Sequence, residues 1–295
     1  AGDQLAGGSG DDEIYGEAGS DHIYGDSGFN LDLASRDLTV PTRDAALAQS
    51  GDGLVAGSDD LYGDAGDDII SGDHGVITQT NGTSRILDTG AVERIETAEP
   101  VNGAADFIQG GLDNDRILGG NGGDEIEGNA GADVVIGDLG RIDYNTGDDD
   151  LMTLDQVVSS DVSTGGNDVI TTHDDSDVVI AGVGSDTVTA GDGDNIVIGD
   201  NGQINYKNGI LESVVSTAPN DGGNDQVTTG ANDDIVIAGI GSDTVTAGNG
   251  NNIVIGDNGS IHFDGVDGNA LTLDSVVSTA PTVGGGDDAI TTGSG

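Results

Sequence analysis

Over most of the chain a large aliphatic residue recurs every ninth position, separated from the next by a glycine-rich acidic stretch. Ile108, Ile117, Ile126, Val135, Ile170, Val179, Val188, Val197, Val227, Val236 and Val245 keep this phase. Alternating residues point to opposite faces of a strand, so three residues centred on the aliphatic one predict a short strand with that side chain inward and its neighbours outward. The remaining six residues of each unit predict a turn, and two units then close a coil of 18 residues. Units of this kind cannot bury their apolar faces alone and must stack. The predicted fold class is all-β, a parallel β-roll or β-solenoid.

The phase breaks five times, always after a Gly-Asp-x-Gly run: Gly25–Gly28, Gly72–Gly75, Gly137–Gly140, Gly199–Gly202 and Gly256–Gly259. Each run reads as a terminator at which the roll stops and a spacer leaves. The first spacer, around residues 31–50 with Arg36, Pro41 and Arg43, reads as an inserted loop with a short helix. In the second, Val76 to Gln79, an Asn81-Gly82 turn and Arg85 to Leu87 read as a β-hairpin. A longer period overlies the short one: the Thr171-Thr172 and Thr228-Thr229 pairs lie 57 residues apart, and Thr291-Thr292 follows 63 later. The predicted blocks are 1–50, 51–105, 106–164, 165–221, 222–284 and 285–295. The chain starts and stops in mid-repeat and is read as a segment of something longer.

Charge changes the picture most. With 55 acidic against 7 basic residues the formal net charge is -48, a self-repulsion that compaction requires counter-cations to offset. Nucleic acid and anionic membrane are therefore not expected partners, and no apolar run approaches a membrane span. Low hydrophobicity with high charge ordinarily predicts disorder, but here the charges are periodic rather than blocky. The 54 glycines have no three-residue period, which excludes collagen. With no cysteine, disulfides are excluded, and a secreted chain of this kind would be stapled by metal instead.

Each unit follows G-G-x-G-x-D-x-U-x, with U a large aliphatic residue, as Gly119 to Glu127 and Gly128 to Ile136 illustrate. The sixth-place acid lies one coil from its counterpart 18 residues on, at a strand spacing of roughly 4.8 Å. Two such carboxylates among turn carbonyls make an all-oxygen cage suited to Ca²⁺ at about 2.3–2.6 Å; Mg²⁺ resists losing its waters. The candidate ligands are Asp3, Asp12, Asp21, Asp59, Asp68, Asp106, Asp115, Asp124, Asp133, Asp168, Asp177, Asp186, Asn195, Asp225, Asp234, Asp243, Asn252 and Asp288. The terminator residues Asp26, Asp73, Asp138, Asp200 and Asp257 would complete one further site each. On the order of a dozen ions would cancel about half of the formal charge.

These nonapeptides resemble the RTX family of secreted bacterial calcium-binding proteins over roughly residues 1–30, 54–75, 104–142 and the repeated parts of 165–293. The resemblance implies a parallel β-roll with several Ca²⁺ ions between stacked turns, type I secretion and an extracellular or cell-surface location. Departures are Asn at 195 and 252, Asp113 in a glycine place, and Thr172-His173 in place of Gly-Gly.

No catalytic constellation is expected. Asp192-Gly193-Asp194 lacks the sixth-place glycine and twelfth-place glutamate of an EF-hand loop. No phosphate-binding G-x-x-x-x-G-K occurs. His22, His74, His173 and His262 are read as solvated surface residues, and no serine pairs with a histidine and an aspartate in a recognisable order. Outward positions alternate between a threonine face (Thr171, Thr187, Thr189, Thr228, Thr244, Thr246), two coils deep per block, and an aliphatic face (Val178, Ile180, Ile196, Ile198, Ile235, Ile237, Ile253, Ile255). That aliphatic face must be covered. Either the spacers fold over it, using Ile204, Tyr206, Leu211, Val214 and Val215, or identical copies associate through it into a fibre, sheath or surface layer. The expected function is a non-enzymatic, calcium-stabilised structural or adhesive segment of a large extracellular repeat protein. The alternative is the calcium-binding module of a secreted enzyme or toxin.

Overall fold

The computed structural model describes residues 2–32, 55–80, 91–146, 150–263, 269, 271–280 and 285–295. Every eighth-place aliphatic named above is fully buried, between two parallel nine-stranded walls. The first wall is Gln4–Ala6, His22–Tyr24, Ile69–Ser71, Arg116–Leu118, Val134–Ile136, Val178–Ile180, Ile196–Ile198, Ile235–Ile237 and Ile253–Ile255. The second is Glu13–Tyr15, Asp60–Ala65, Phe107–Leu112, Glu125–Ala130, Val169–His173, Thr187–Ala190, Gln226–Thr228, Thr244–Ala247 and Ala289–Thr292. Val135 pairs with Val179 and Val197 with Val236 across spacers in the register that Ile117 and Val135 share within a block, so the coils form one continuous roll.

The Gly-Asp-x-Gly runs do not end the roll. Sixth-place partners are 18 residues apart within a block and 47, 47, 44, 39 and 45 apart across the five breaks, so inserts of 29, 29, 26, 21 and 27 residues interrupt single coils. The chain leaves after the second place of a nonapeptide and returns at its third. Gly137-Asp138 is thus completed by Gly165-Gly166-Asn167-Asp168 as if nothing intervened. The outward threonines consequently form an unbroken row, Thr171, Thr189, Thr228, Thr246 and Thr291, rather than patches two coils deep.

The inserts build a third sheet, also nine-stranded: Gly28–Asp32, Gly75–Gln79, Val92–Thr97, Gly140–Asp143, Gln156–Ser159, Gly202–Lys207, Ile210–Ser216, Gly259–His262 and Ser275–Ser278. Neighbours are antiparallel except the first two, which are parallel. Asn208-Gly209, with φ of 52° and 71°, supplies the two positive angles of a tight hairpin turn. In the second insert Gly75–Gln79 pairs antiparallel with Val92–Thr97; Asn81-Gly82, Arg85 to Leu87 and the loop with Arg36, Pro41 and Arg43 lie outside the described residues. The sheet supplies one strand per coil. Inserts separated by two coils bring two strands, and the first, separated from the second by one coil, brings a single described strand. Because strands in both sheets are spaced about 4.8 Å apart, the two sheets stay in step.

This cover buries the aliphatic face. Ile77, Ile95, Ile142, Val157, Ile204, Val214 and Ile261 pack with Ile136, Ile180, Ile198, Ile237 and Ile255, and Tyr206 and Leu211 close the margin. The expectation that identical copies associate through the Val/Ile face is therefore corrected: the protein's own inserts occupy it. Contact is close at the fourth residue of each run. A Cβ on Gly202 would lie 2.3 Å from Ile198 Cδ1, so a side chain there must push Ile198 out of its place in the core. Gly202→Val is expected to cost about 1–3 kcal/mol by overpacking, read as a lower denaturant midpoint in saturating calcium.

Candidate metal sites

Each coil turns twice, and each turn delivers one sixth-place residue just before a strand. Stacking makes two ladders. The one entering the second wall runs Asp12, Asp59, Asp106, Asp124, Asp168, Asp186, Asp225, Asp243, Asp288. The one entering the first wall runs Asp3, Asp21, Asp68, Asp115, Asp133, Asp177, Asn195, Asp234, Asn252. In both, a residue's backbone N–H donates to Oδ1 of the next coil's residue, as from Asp106 to Asp124 at 2.9 Å and Asp124 to Asp168 at 2.8 Å. Every predicted 18-residue pair is found. The pairs across inserts, Asp124 with Asp168 among them, were hidden by the splice.

The second carboxylate oxygen is the chemically telling one. Oδ2 of Asp12, Asp21, Asp59, Asp68, Asp106, Asp115, Asp124, Asp133, Asp168, Asp177, Asp186, Asp225 and Asp243 is buried without a hydrogen-bond partner. What surrounds this atom is visible where the residue is asparagine. Asn195 Oδ1 accepts from Asp177 N–H at 3.0 Å, which fixes the amide, and Nδ2 donates to the carbonyls of Gly191 and Gly193 at 3.0 and 3.2 Å. An aspartate there sets a carboxylate oxygen against the carbonyls of the second and fourth places with no proton between them. The turn backbone needed for this puts non-glycine residues at positive φ, 79° at Asp113, 92° at Asp175 and 95° at Asn232, where Asp and Asn are tolerated. Asp113 thus serves in its glycine place. At Gly119 the first place is tight as well, since a Cβ there would meet Asp124 Oδ2 at 2.5 Å and the Gly137 carbonyl at 2.1 Å, whereas later units carry Ala or Thr at this place.

Without a cation, burial raises many of these carboxyls above the usual carboxylate range. Burial pushes Asp106 and Asp225 up to about 9. Asp168 reaches about 10 through burial and then the charges of Asp138, Asp124 and Asp186. Asp115 stands at about 8 and Asp124, Asp177 and Asp186 at about 7, burial again the chief cause. One hard divalent cation per site relieves burial, mutual repulsion and the missing partner together. Among the described residues no group of three or more His, Cys, Asp or Glu side chains could hold a metal alone. Backbone carbonyls must therefore complete the oxygen set, a donor type that suits Ca²⁺ and not thiolate- or imidazole-seeking metals.

The sequence profile of the RTX calcium-binding nonapeptide repeat matches residues 1–31, 55–76, 109–141, 162–188, 173–203, 221–245 and 228–260, more than half of the chain. The chain belongs to this family. Comparison with individual curated proteins gives no match. RTX repeats bind several calcium ions, are structural rather than catalytic, and are typical of type I-secreted extracellular proteins. Among the described residues no helix is long and apolar enough to cross a membrane.

The terminator aspartates make a further set of contacts within this RTX roll. Asp138 clamps the splice, Oδ1 accepting from Gly166 N–H across the insert at 2.9 Å and Oδ2 from Val183 N–H in the next coil. Asp200 does the same with Gly223 and Ile240, and Asp73 with Ala104 and Asn121. Asp26 accepts from Gly57 N–H at 3.2 Å, while Asp257 Oδ1 is buried without a hydrogen-bond partner. The fifth-place residues escaped the sequence reading. Asp67, Asn114, Asn167, Ser185 and Asn224 accept from the next coil's backbone N–H at 2.7–3.0 Å, running opposite to the aspartate ladders. Their signal was a short polar residue beside the acid.

His74, expected on the surface, is fully buried. Asn102 Oδ1 accepts from Ala56 N–H at 3.2 Å, so its Nδ2 faces His74 Nε2 at 2.7 Å, and the ring's other nitrogen donates to Ser27 Oγ at 2.7 Å. Oriented this way the imidazole is a donor to the serine, not its base, and the trio ties the first two splices together. His22 and His262 are half-buried, and His173 is exposed.

Proposed function

We propose that the chain is a calcium-stabilised, non-enzymatic structural or adhesive segment of a large extracellular bacterial protein, exported unfolded and stiffened by calcium on arrival. The observation that carries this reading is the pair of uninterrupted ladders, whose buried Oδ2 atoms face turn carbonyls without a proton. Nine stacked coils span about 40 Å at the usual strand spacing, and each further two-coil block would lengthen the rod by about 10 Å. Export suits the same chemistry, because the carboxylates keep the chain extended by repulsion until a cation arrives. Two-coil blocks joined without a break favour a rod over a short module appended to an enzyme. The test is far-ultraviolet circular dichroism with gel filtration at neutral pH. In excess chelator the β signal is expected to be lost and the hydrodynamic radius to grow about twofold, with both restored by millimolar calcium. A full β signal in chelator would refute conditional folding.

A further inference from the structure

Resting on that calcium reading, the two ladders can be compared unit by unit, and they are not equivalent. Along the ladder entering the second wall every sixth-place residue is an aspartate, and from Asp12 to Asp243 each has a buried Oδ2 with no hydrogen-bond partner. The ladder entering the first wall is the same from Asp21 to Asp177. Beyond it the pattern changes. Asn195 donates from Nδ2 to the carbonyls of Gly191 and Gly193 at 3.0 and 3.2 Å. Asn252 donates from Nδ2 to the Gly248 carbonyl at 3.1 Å, its orientation fixed by Oδ1, which accepts from Asp234 N–H at 2.9 Å. Between them, Asp234 Oδ2 accepts from the hydroxyl of Thr229 at 2.7 Å; Thr229 is buried at the first place of its unit, as Thr172 is in the Asp177 unit.

Three consecutive units on one edge therefore supply their own proton donors to the oxygens that a cation would otherwise bring together. We infer that this edge is closed to calcium from Asn195 onward, so that the last third of the roll takes calcium along the other edge alone. An amide nitrogen in the cation's place satisfies the second- and fourth-place carbonyls and adds no charge, while a cation approaching the Asn side would meet N–H hydrogens instead of lone pairs. The edge so closed is cohesive with or without the ion. The edge that remains calcium-dependent is the one on which every insert leaves and returns, at Asp138, Asp200 and Asp257. Calcium in this region thus acts at the splices that hold the cover sheet.

The test is the number of calcium ions bound per chain, measured by equilibrium dialysis and atomic emission at saturating calcium, on the whole chain. Asn195→Asp with Asn252→Asp is expected to gain about two ions and to shift the calcium midpoint of folding upward, because two self-satisfied units become ion-dependent. Asn195→Ala is expected to leave the ion count unchanged and to lower the denaturant midpoint in calcium. Should the double aspartate variant fail to fold, the alanine variant decides the matter. A folded double variant with no added ions, or loss of an ion in Asn195→Ala, would overturn the inference. An unmodified chain that bound no calcium would instead strike the functional reading on which it rests.

Discussion

Freed of calcium, the chain is expected to hold more β structure at pH 5 than at pH 7. The sign follows from the ladder carboxyls. In the unfolded chain they titrate near the usual value of about 4. In the ion-free roll burial raises many of them, to about 6 at Asp59 and Asp133, about 7 at Asp68, about 8 at Asp115 and about 9 at Asp106 and Asp225. Between those limits the folded form binds protons that the unfolded form has released, so stability falls as pH rises from about 4. The loss continues until the folded carboxyls themselves ionise. Protons thus stand in for calcium at low pH, and only calcium does so at pH 7. The isoelectric point of about 4.1 makes pH 5 the practical lower limit for a soluble sample. Metal-stripped protein followed by circular dichroism from pH 5 to 8 should lose signal progressively, and calcium should restore it at the upper end. A signal independent of pH would mean that the folded, ion-free state does not bury these carboxyls.

Ile198→Asp is expected to abolish folding even in saturating calcium. Ile198 is fully buried between the first wall and the cover sheet, in contact with the cluster that includes Ile204 and Val214. Truncation there to alanine costs about 2–5 kcal/mol, and a carboxylate adds the penalty of an unpaired charge in an apolar layer. Because a domain's whole stability is only about 5–15 kcal/mol, the aspartate variant has little left to fold with. The same substitution on an assembly face would leave each chain folded and merely prevent association. Calcium titration followed by circular dichroism separates the two, since a folded, monomeric Ile198→Asp chain would contradict the buried position of this side chain.

The nine-residue phase carried most of this structure in plain view. The acid at the sixth place and the aliphatic residue at the eighth are each read from one unit, and their partners 18 residues on follow from a coil of two units. What the phase could not reveal was continuity. Gly137-Asp138 looks like an ending because the residues that complete its nonapeptide begin at Gly165. Only the pairing of Asp124 with Asp168 reveals that a unit has been opened and closed again. The burial of His74 was equally hidden, since its partners Ser27 and Asn102 come from two different inserts. Composition suggested a solvated imidazole; three-dimensional contact at the splice made it internal. The Val/Ile face was ambiguous for a simpler reason. Its apolar character calls for a cover, and alternation within a strand does not say whose.

The placement of the inserts has a consequence for how such a protein can change. Four of the five inserts leave and return at a junction whose two lips are tied by a single aspartate, as Asp138 ties Gly166 and Asp200 ties Gly223. The coil phase on either side is the same whether 21 or 29 residues intervene. The roll is therefore indifferent to cargo at these ports. Hairpin tips can be lengthened, shortened or exchanged for other sequences without disturbing the ladders, provided the strands nearest the port still match the coils they cover.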